Sequence, residues 1–261
     1  MLAAVNLSDG EGTGGTSIYL AEAGRWEWEP RQGDFGPGDA PNQVFSLART
    51  AGGAWIAGGE ATVVARSTDG GARWESVWGS WWGSGLGTHD LKQCGNTLWA
   101  GGERGYFAPL LIASHDEGVS WHEVTRPSNN GDNAVISLEC DRRNNAGVIA
   151  GMEGRVVHSR DEGRTWVTLL QPPEYPYFFG LGASAIVAGR FYAAGATNRP
   201  MQPTVLYAGT MGSEWSAFVA PFGNAHGGVW SLLVRAENRA DAVYLGTGAG
   251  VVRFAPRSKS P

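Results

Sequence analysis

Short apolar stretches alternate with glycine-rich and polar stretches along the whole chain, and their length predicts β-strands. Five of these stretches end in small residues: AWIAGGE (54–60), LWAGGE (98–103), VIAGME (148–153), FYAAGAT (191–197) and VYLGTGA (243–249). Each follows another apolar stretch: VFSLART (44–50), HDLKQC (89–94), VISLEC (135–140), FGLGASAIVA (179–188) and VWSLLVRA (229–236). Such self-similarity predicts a chain built from repeated β units.

A second repeat follows the apolar pairs and reads Ser-x-Asp-x-Gly-x-x-Trp. Its three full copies are STDGGARW (67–74), SHDEGVSW (114–121) and SRDEGRTW (159–166). A fourth copy, AGTMGSEW (208–215), keeps only Gly212 and Trp215, and LAEAGRW (20–26) is one residue shorter, with Glu22 where Asp would fall. The tryptophans are spaced 45–49 residues apart, a period typical of a propeller blade with four strands, A to D.

The motif is interpreted as the hairpin between strands C and D. Its Asp side chain can accept backbone N–H bonds within its own turn, and its Gly supplies a positive φ. The Trp opens strand D and packs between neighbouring sheets. The residues assigned this structural role are Ser67, Asp69, Gly71, Trp74, Ser114, Asp116, Gly118, Trp121, Ser159, Asp161, Gly163, Trp166, Gly212 and Trp215.

This pattern resembles the Asp-box, or BNR, repeat of sialidases, two-propeller xyloglucanases, sortilin-type receptors and photosystem II assembly factors. The longer segments AGGEATVVARSTDGGARW (57–74) and AGMEGRVVHSRDEGRTW (150–166) are most similar to the xyloglucanase, sortilin and assembly-factor branch. The resemblance implies an all-β propeller of four-stranded antiparallel blades. It also implies that the Asp-box turns lie away from the functional face.

We expect one propeller domain over residues 1–261, with blades at about 1–30, 42–80, 88–126, 134–171, 178–220 and 228–256. This count gives six blades, of which the first lacks strand A and the last lacks strand D. A five-bladed ring with a redundant N-terminal hairpin is the alternative, and a fragment of a longer chain would also explain the missing strands.

Composition excludes several classes of protein. Forty glycines and 13 prolines are incompatible with a helical bundle. A net charge of −5 without a Lys/Arg run argues against nucleic acid and anionic membranes as partners. No apolar run is long enough for a membrane helix, so no membrane insertion is expected. Cys94 and Cys140 are interpreted as buried free thiols.

The cellular location stays open at this stage. The N-terminus lacks the basic and apolar regions of a signal peptide. A sequence that begins after a targeting segment would still fit an extracellular or periplasmic protein. We expect a monomer that needs no metal and no cofactor, since no metal-ligand spacing such as HExxH occurs.

Candidate chemistry lies in the B–C and D–A loops, which a propeller places on the face opposite the motif hairpins. Glu60, Glu103 and Glu153 follow strand B at the same blade position and are weak candidates for catalytic carboxylates. Aromatic and basic side chains in these loops are candidates for ligand binding: Trp78, Trp81, Trp82, His89, Arg104, Tyr106, Tyr175, Tyr177 and His226.

The sequence is compatible with two different functions. The chain has no Phe/Tyr-Arg-Ile-Pro segment, which sialidases carry, and 261 residues hold at most one of the two propellers of a xyloglucanase. The sequence therefore favours a non-catalytic propeller that binds a protein partner or a glycan through its B–C/D–A loop face. The alternative is a sialidase-like or xyloglucanase-like glycoside hydrolase that uses paired carboxylates.

Overall fold

The computed structural model describes residues 2–6, 16–21, 25, 27–31, 44–59, 64–79, 87–104, 108–124, 134–144, 147–174, 176–196, 204–219, 228–247 and 250–254. Within these ranges every regular element is a β-strand, and the 22 strands form six antiparallel sheets. The chain divides into two compact units, Met1–Val135 and Ile136–Pro261.

The first unit contains three sheets, each built from consecutive strands. The first sheet contains β1 (Leu2–Asn6), β2 (Thr16–Leu20) and β3 (Glu29–Arg31). The second contains β4 (Val44–Arg49), β5 (Trp55–Gly59), β6 (Val64–Ser67) and β7 (Glu75–Trp78). The third contains β8 (Gly87–Cys94), β9 (Thr97–Arg104), β10 (Ala108–Ser114) and β11 (His122–Glu123).

The second unit repeats this plan. Its first sheet, the fourth of the chain, contains β12 (Val135–Cys140), β13 (Val148–Met152), β14 (Val156–Ser159) and β15 (Val167–Leu170). The fifth contains β16 (Tyr177–Ala183), β17 (Arg190–Ala196), β18 (Val205–Thr210) and β19 (Trp215–Val219). The sixth contains β20 (Val229–Glu237), β21 (Ala240–Thr247) and β22 (Gly250–Phe254).

These sheets are the blades of a β-propeller. Over the described ranges, the first and last sheets have three strands and the other four have four, so the prediction of six blades with incomplete ends is confirmed. We keep the letters A to D for the strands of a blade, so that β4, β8, β12, β16 and β20 are the A strands. The extent of a single domain over 1–261 stays a prediction.

The apolar pattern of the B strands reflects burial on both faces. Every residue of β13, Val148–Met152, is buried, and β9 is buried along its first six residues. Runs of this kind are typical of strands covered on two sides. Small residues end these strands because the next sheet approaches closely: a Cβ on Gly58 would lie 2.5 Å from the Thr88 Cγ2 atom of the following sheet.

The core lies between successive sheets of each unit. Trp74 of the second sheet packs with Ile18 of the first, and Trp121 of the third packs with Ile56 of the second. In the second unit, Trp215 packs against a cluster that spans the fourth and fifth sheets. A large indole at the start of strand D thereby fills the space beside the preceding blade.

The interpretation of the two cysteines as free thiols was wrong. Cys94 ends β8, Cys140 ends β12, and both are disulfide-bonded. Burial does not distinguish a thiol from a disulfide, because the outcome depends on whether a second sulfur lies within bonding distance. Separately, the described ranges contain no helix long and apolar enough to cross a membrane.

Candidate functional site

The three full motif copies form nearly identical hairpins. In the first, Ser67 Oγ donates to Asp69 Oδ1 at 2.9 Å and accepts the Gly71 N–H at 3.0 Å. The second and third copies repeat the hydroxyl–carboxylate contact at 2.8 and 2.9 Å. The Trp74 indole N–H donates to the Gly71 carbonyl at 3.0 Å, which ties the indole to the turn.

The aspartates of these hairpins are satisfied by their own turns. The Ser120 hydroxyl, together with the Ser120 backbone N–H, lowers the pKa of Asp116 to about 2. The Thr165 hydroxyl and N–H do the same for Asp161, whose pKa is also about 2. The pKa of Asp69 is lowered by the Arg73 N–H. Because each carboxylate already accepts several hydrogen bonds, it has little capacity left for a ligand.

The fourth hairpin closes differently because it lacks the Ser and the Asp. The Ser213 hydroxyl donates to the Thr210 carbonyl at 2.8 Å and accepts the Thr210 N–H at 3.2 Å. The bond from the Ser213 N–H to the Thr210 carbonyl and the positive φ of Gly212 are shared with the second and third copies. Strand C therefore continues to Thr210, and the turn is tighter than in the other copies. In the shorter copy at 20–26, Glu22 and Trp26 lie outside the described residues.

At the other end of the blades, four A strands share one irregularity near their start. The pairing with strand B shifts by one residue between Val44 and Ser46, Thr88 and Asp90, Phe178 and Gly180, and Val229 and Ser231. The residues left out of the ladder are Phe45, His89, Phe179 and Trp230, and each carries an aromatic ring. A β-bulge re-aims a side chain, so these rings leave the regular alternation of the strand.

In the first unit, the bulged rings form a pair beside a carboxylate. Phe45 is 44% exposed, and its ring stacks on His89 with centroids 5.9 Å apart. His89 Nε2 lies 3.9 Å from Glu103 Oε1. Burial raises the pKa of Glu103 and lowers the pKa of His89. Both shifts have the same cause, because partial burial disfavours the charged form of each group.

In the second unit, the bulged rings extend into an aromatic row, which we define as Tyr177, Phe179 and Trp230. The Tyr177 and Phe179 rings stack with centroids 6.0 Å apart, and Phe179 lies 5.7 Å from Trp230 at a tilt of 59°. Trp230 is 63% exposed. Glu153 forms an isolated β-bridge with Tyr177, which places a carboxylate-bearing residue next to the row.

The sequence-predicted site residues are distributed unevenly between these places. His89, Glu103, Glu153 and Tyr177 lie at or beside the bulged rings. Trp78 is half-buried against the core between the second and third sheets, and the exposed Arg104 forms an ion pair with Glu123. The other candidates lie outside the described residues: Glu60, Trp81, Trp82, Tyr106, Tyr175 and His226.

The sequence reasoning missed Phe45 and Trp230. A signal was present, because VFSL, VISL and VWSL place a large apolar residue at the same position of the predicted A strand. That position was assigned to an ordinary strand, in which it would simply alternate with its neighbours. Among the residues with described positions, no group of three or more His, Cys, Asp or Glu side chains is arranged to hold a metal ion.

Comparison with solved structures supports the fold class. An ancestral GH74 enzyme superimposes with a TM-score of 0.63 at 19% identity, over 88% of this chain and 33% of its own. A GH74 xyloglucanase from Xanthomonas campestris gives 0.65 at 15% identity, over 92% and 41%. YCF48 bound to D1 peptide gives 0.58 at 15% identity, over 82% and 64%.

All three similar structures are β-propellers, which is the class to which the blades of this chain belong. The chain spans about a third of the length of the ancestral GH74 enzyme. No protein-family model matches the sequence, and no curated protein sequence matches it.

Proposed function

We propose that this chain is a non-catalytic binding propeller, which holds a glycan or a protein partner against the ends of its blades where the A strands begin. The observation that carries the proposal is the repeated bulge, which presents an aromatic ring from four A strands. Bulges are over-represented next to functional sites, and a ring as exposed as Trp230 offers a flat apolar surface for stacking.

The side chains of the first unit suit a ligand that carries hydroxyl groups. Burial lowers the pKa of His89, so its imidazole is a neutral polar group, and the Glu103 carboxyl supplies hydrogen-bond acceptors beside the Phe45 ring. A sugar ring combines an apolar face with neutral hydroxyl groups, which suits this combination. We therefore put the glycan first and the protein partner second.

The comparisons support both kinds of ligand. Two of the similar structures are GH74 enzymes, one of them named a xyloglucanase, and the third is YCF48 bound to a D1 peptide. We extend the candidate surface to Trp81, Trp82 and Tyr175, which the sequence places in D–A loops on the same face.

A glycan array followed by titration calorimetry tests the proposal. We expect Trp230→Ala to weaken binding of the best glycan at least tenfold, about 1.4 kcal/mol, because the variant removes the most exposed ring of the row. The matched control is Phe218→Ala, which removes a ring that is 52% exposed on strand D of the fifth blade. Equal losses in the two variants, or no loss in Trp230→Ala, would contradict the proposal.

A glycoside hydrolase is the second candidate, and the pKa of Glu103 is the observation that favours it. A carboxyl group with a raised pKa in a half-buried site is suited to act as a general acid. The mechanism needs a second carboxylate about 5–5.5 Å or 6.5–9.5 Å away. If Glu103→Gln abolishes a measured hydrolysis of xyloglucan oligosaccharides but leaves their binding intact, this candidate replaces the first.

A further inference from the structure

A cavity of about 440 Å³ lies in the second unit, between the C–D hairpins of the fourth and fifth blades. It is at the opposite end of these blades from the bulged A strands, so it is separate from the surface proposed above. One wall comes from β14, β15 and the third motif copy, and the other comes from the divergent fourth hairpin. Its volume falls within the range of small-ligand sites.

The cavity combines an apolar wall with one cation. Val167, Leu169 and Trp215 supply the apolar surface, and Arg160 supplies the guanidinium. Within the described ranges the Arg160 guanidinium contacts the uncharged sulfur of Met211, at 3.9 Å, and no described carboxylate forms an ion pair with it. The Arg160 backbone carbonyl accepts from the Asn144 side chain at 2.8 Å. A guanidinium at a cavity wall without a carboxylate partner is suited to bind an anion.

Other charged groups near the cavity already have hydrogen-bond or ion-pair partners. Asp141 accepts from the Arg143 side chain at 3.0 and 3.2 Å. Asp161 accepts from its own turn, including the Thr165 hydroxyl at 2.6 Å. Arg164 pairs with Glu162 at 3.5 Å on the same hairpin as Arg160. Asp161 keeps its negative charge, but its oxygens are turned into the hairpin by these bonds, and Arg160 is the cation of the cavity wall with which no described carboxylate pairs.

His158 lines the cavity but does not add to this charge. Its ring is 1% exposed, and Nε2 lies 3.2 Å from Asp141 Oδ2 without the alignment of a hydrogen bond. Burial lowers the pKa of His158, with Asp141 opposing the shift, so the imidazole is neutral near pH 7. It therefore adds no second cation to the cavity wall.

The divergence of the fourth motif copy fits the same chemistry. Thr210 stands where the three full copies have Asp, and Ala208 stands where they have Ser. The wall contributed by the fifth blade therefore lacks the carboxylate that would repel an anion. The tighter hairpin also places Gly212 and Ser213, rather than a longer turn, against the cavity.

We propose that this cavity binds a carboxylate attached to an apolar group. The carboxylate pairs with the Arg160 guanidinium, and the apolar group packs on Trp215, Leu169 and Val167. A small free acid and the C-terminus of a polypeptide share this chemistry. The single uncompensated guanidinium matches one negative charge, and the apolar wall requires a non-polar group beside it.

Calorimetric titration of the whole chain with N-acetyl-L-leucine and with N-acetyl-L-leucinamide tests the role of the carboxylate. We expect the acid to bind at least tenfold more tightly than the amide. Arg160→Gln should remove this difference, whereas Arg164→Gln, which deletes a cation from the same hairpin outside the cavity, should preserve it. Unchanged thermal unfolding of both variants shows that the fold is retained.

A second pair of probes distinguishes the two sources of the carboxylate. A hexapeptide with a C-terminal leucine is compared with the same peptide amidated. If the free-acid peptide binds more tightly than N-acetyl-L-leucine, the ligand is a chain terminus, and equal affinities indicate a small acid. Trp230→Ala should leave this binding unchanged, which separates the proposal from the glycan surface.

Three outcomes would overturn the inference. The first is equal binding of acids and amides. The second is an equal loss in Arg160→Gln and Arg164→Gln, which would indicate non-specific attraction. The third is the absence of detectable binding by all four probes at millimolar concentration.

Discussion

At the scale of single residues, the motif aspartates show how a carboxylate stabilises a turn by accepting its N–H groups. Asp116 and Asp161 accept backbone N–H groups and one hydroxyl each, and these bonds hold the pKa of each carboxyl at about 2. Hydrogen bonds to the ionised form stabilise the folded chain only while the carboxylate is charged. The turns therefore link the stability of the hairpins to pH.

We expect the melting temperature to fall as the pH drops from about 4 to about 2. The folded-state pKa of about 2 lies below the ordinary aspartate value of 3.8, so the unfolded chain binds more protons in this window. This contribution is fully present above pH 4 and is lost as the carboxyls are protonated. The double variant Asp116→Asn/Asp161→Asn should be less stable at pH 7 and should show a shallower decline; parallel curves would contradict the assignment.

At the scale of structural elements, the motif hairpin and the bulged A strand have different roles within a blade. The hairpin anchors an indole against the preceding sheet, as Trp121 does beside Ile56 and Val64. The bulge inserts one residue into the A strand without disturbing the pairs on either side of it. The hairpin therefore helps to pack the core, whereas the bulge exposes an aromatic ring.

Trp121→Ala should lower the free energy of unfolding by about 3–5 kcal/mol, because it empties a large buried site between two sheets. Trp28, which is 40% exposed, is the matched control. We expect Trp28→Ala to change the stability by less than about 0.5 kcal/mol. Urea denaturation measures both, and similar values for the two variants would contradict the packing role.

Deleting Phe45 should leave the second blade folded. Val44 pairs with Gly59 and Ser46 pairs with Gly58, so removal of the intervening residue produces a regular ladder. Deletion of Leu47 is the control, because it shifts the rest of the strand by one residue and turns each following side chain to the other face. We expect far-UV circular dichroism and melting close to wild type for the first deletion and loss of cooperative unfolding for the second.

At the scale of the whole molecule, two compact units contain three sheets each. Both cysteines of the chain are disulfide-bonded, so the fold includes a covalent constraint that adds to the packing between sheets. Disulfides persist in oxidising compartments and are rare in the cytosol. A thiol assay on the purified protein can check directly whether the two cysteines are oxidised.

The oxidised chain should show no reactive thiol in denaturant, and reduction should lower its stability by about 2–4 kcal/mol. The double variant Cys94→Ala/Cys140→Ala should melt at the same temperature with and without reductant. Two titratable thiols in the untreated protein would contradict the assignment.

The sequence by itself determined the β class, the strand order within a blade and the candidate turn residues, and it restricted the number of blades to six or five. These features depend on interactions between residues close in the chain, such as the contact of Ser67 with Asp69 or the spacing of the tryptophans. Local hydrogen bonds and a regular repeat can be recognised directly from the pattern of residues. The placement of Glu103 and Glu153 near the start of the A strands was likewise readable from their repeat position.

Only the tertiary structure decided which side chains meet. The bulges that expose Phe45 and Trp230 depend on the register between two strands, and a shift of one residue leaves no mark in the apolar pattern. The cavity beside Arg160 depends on two hairpins about 50 residues apart in the chain, and the state of Cys94 depends on a distant sulfur. Non-local packing brings these groups together, so sequence spacing could not predict them.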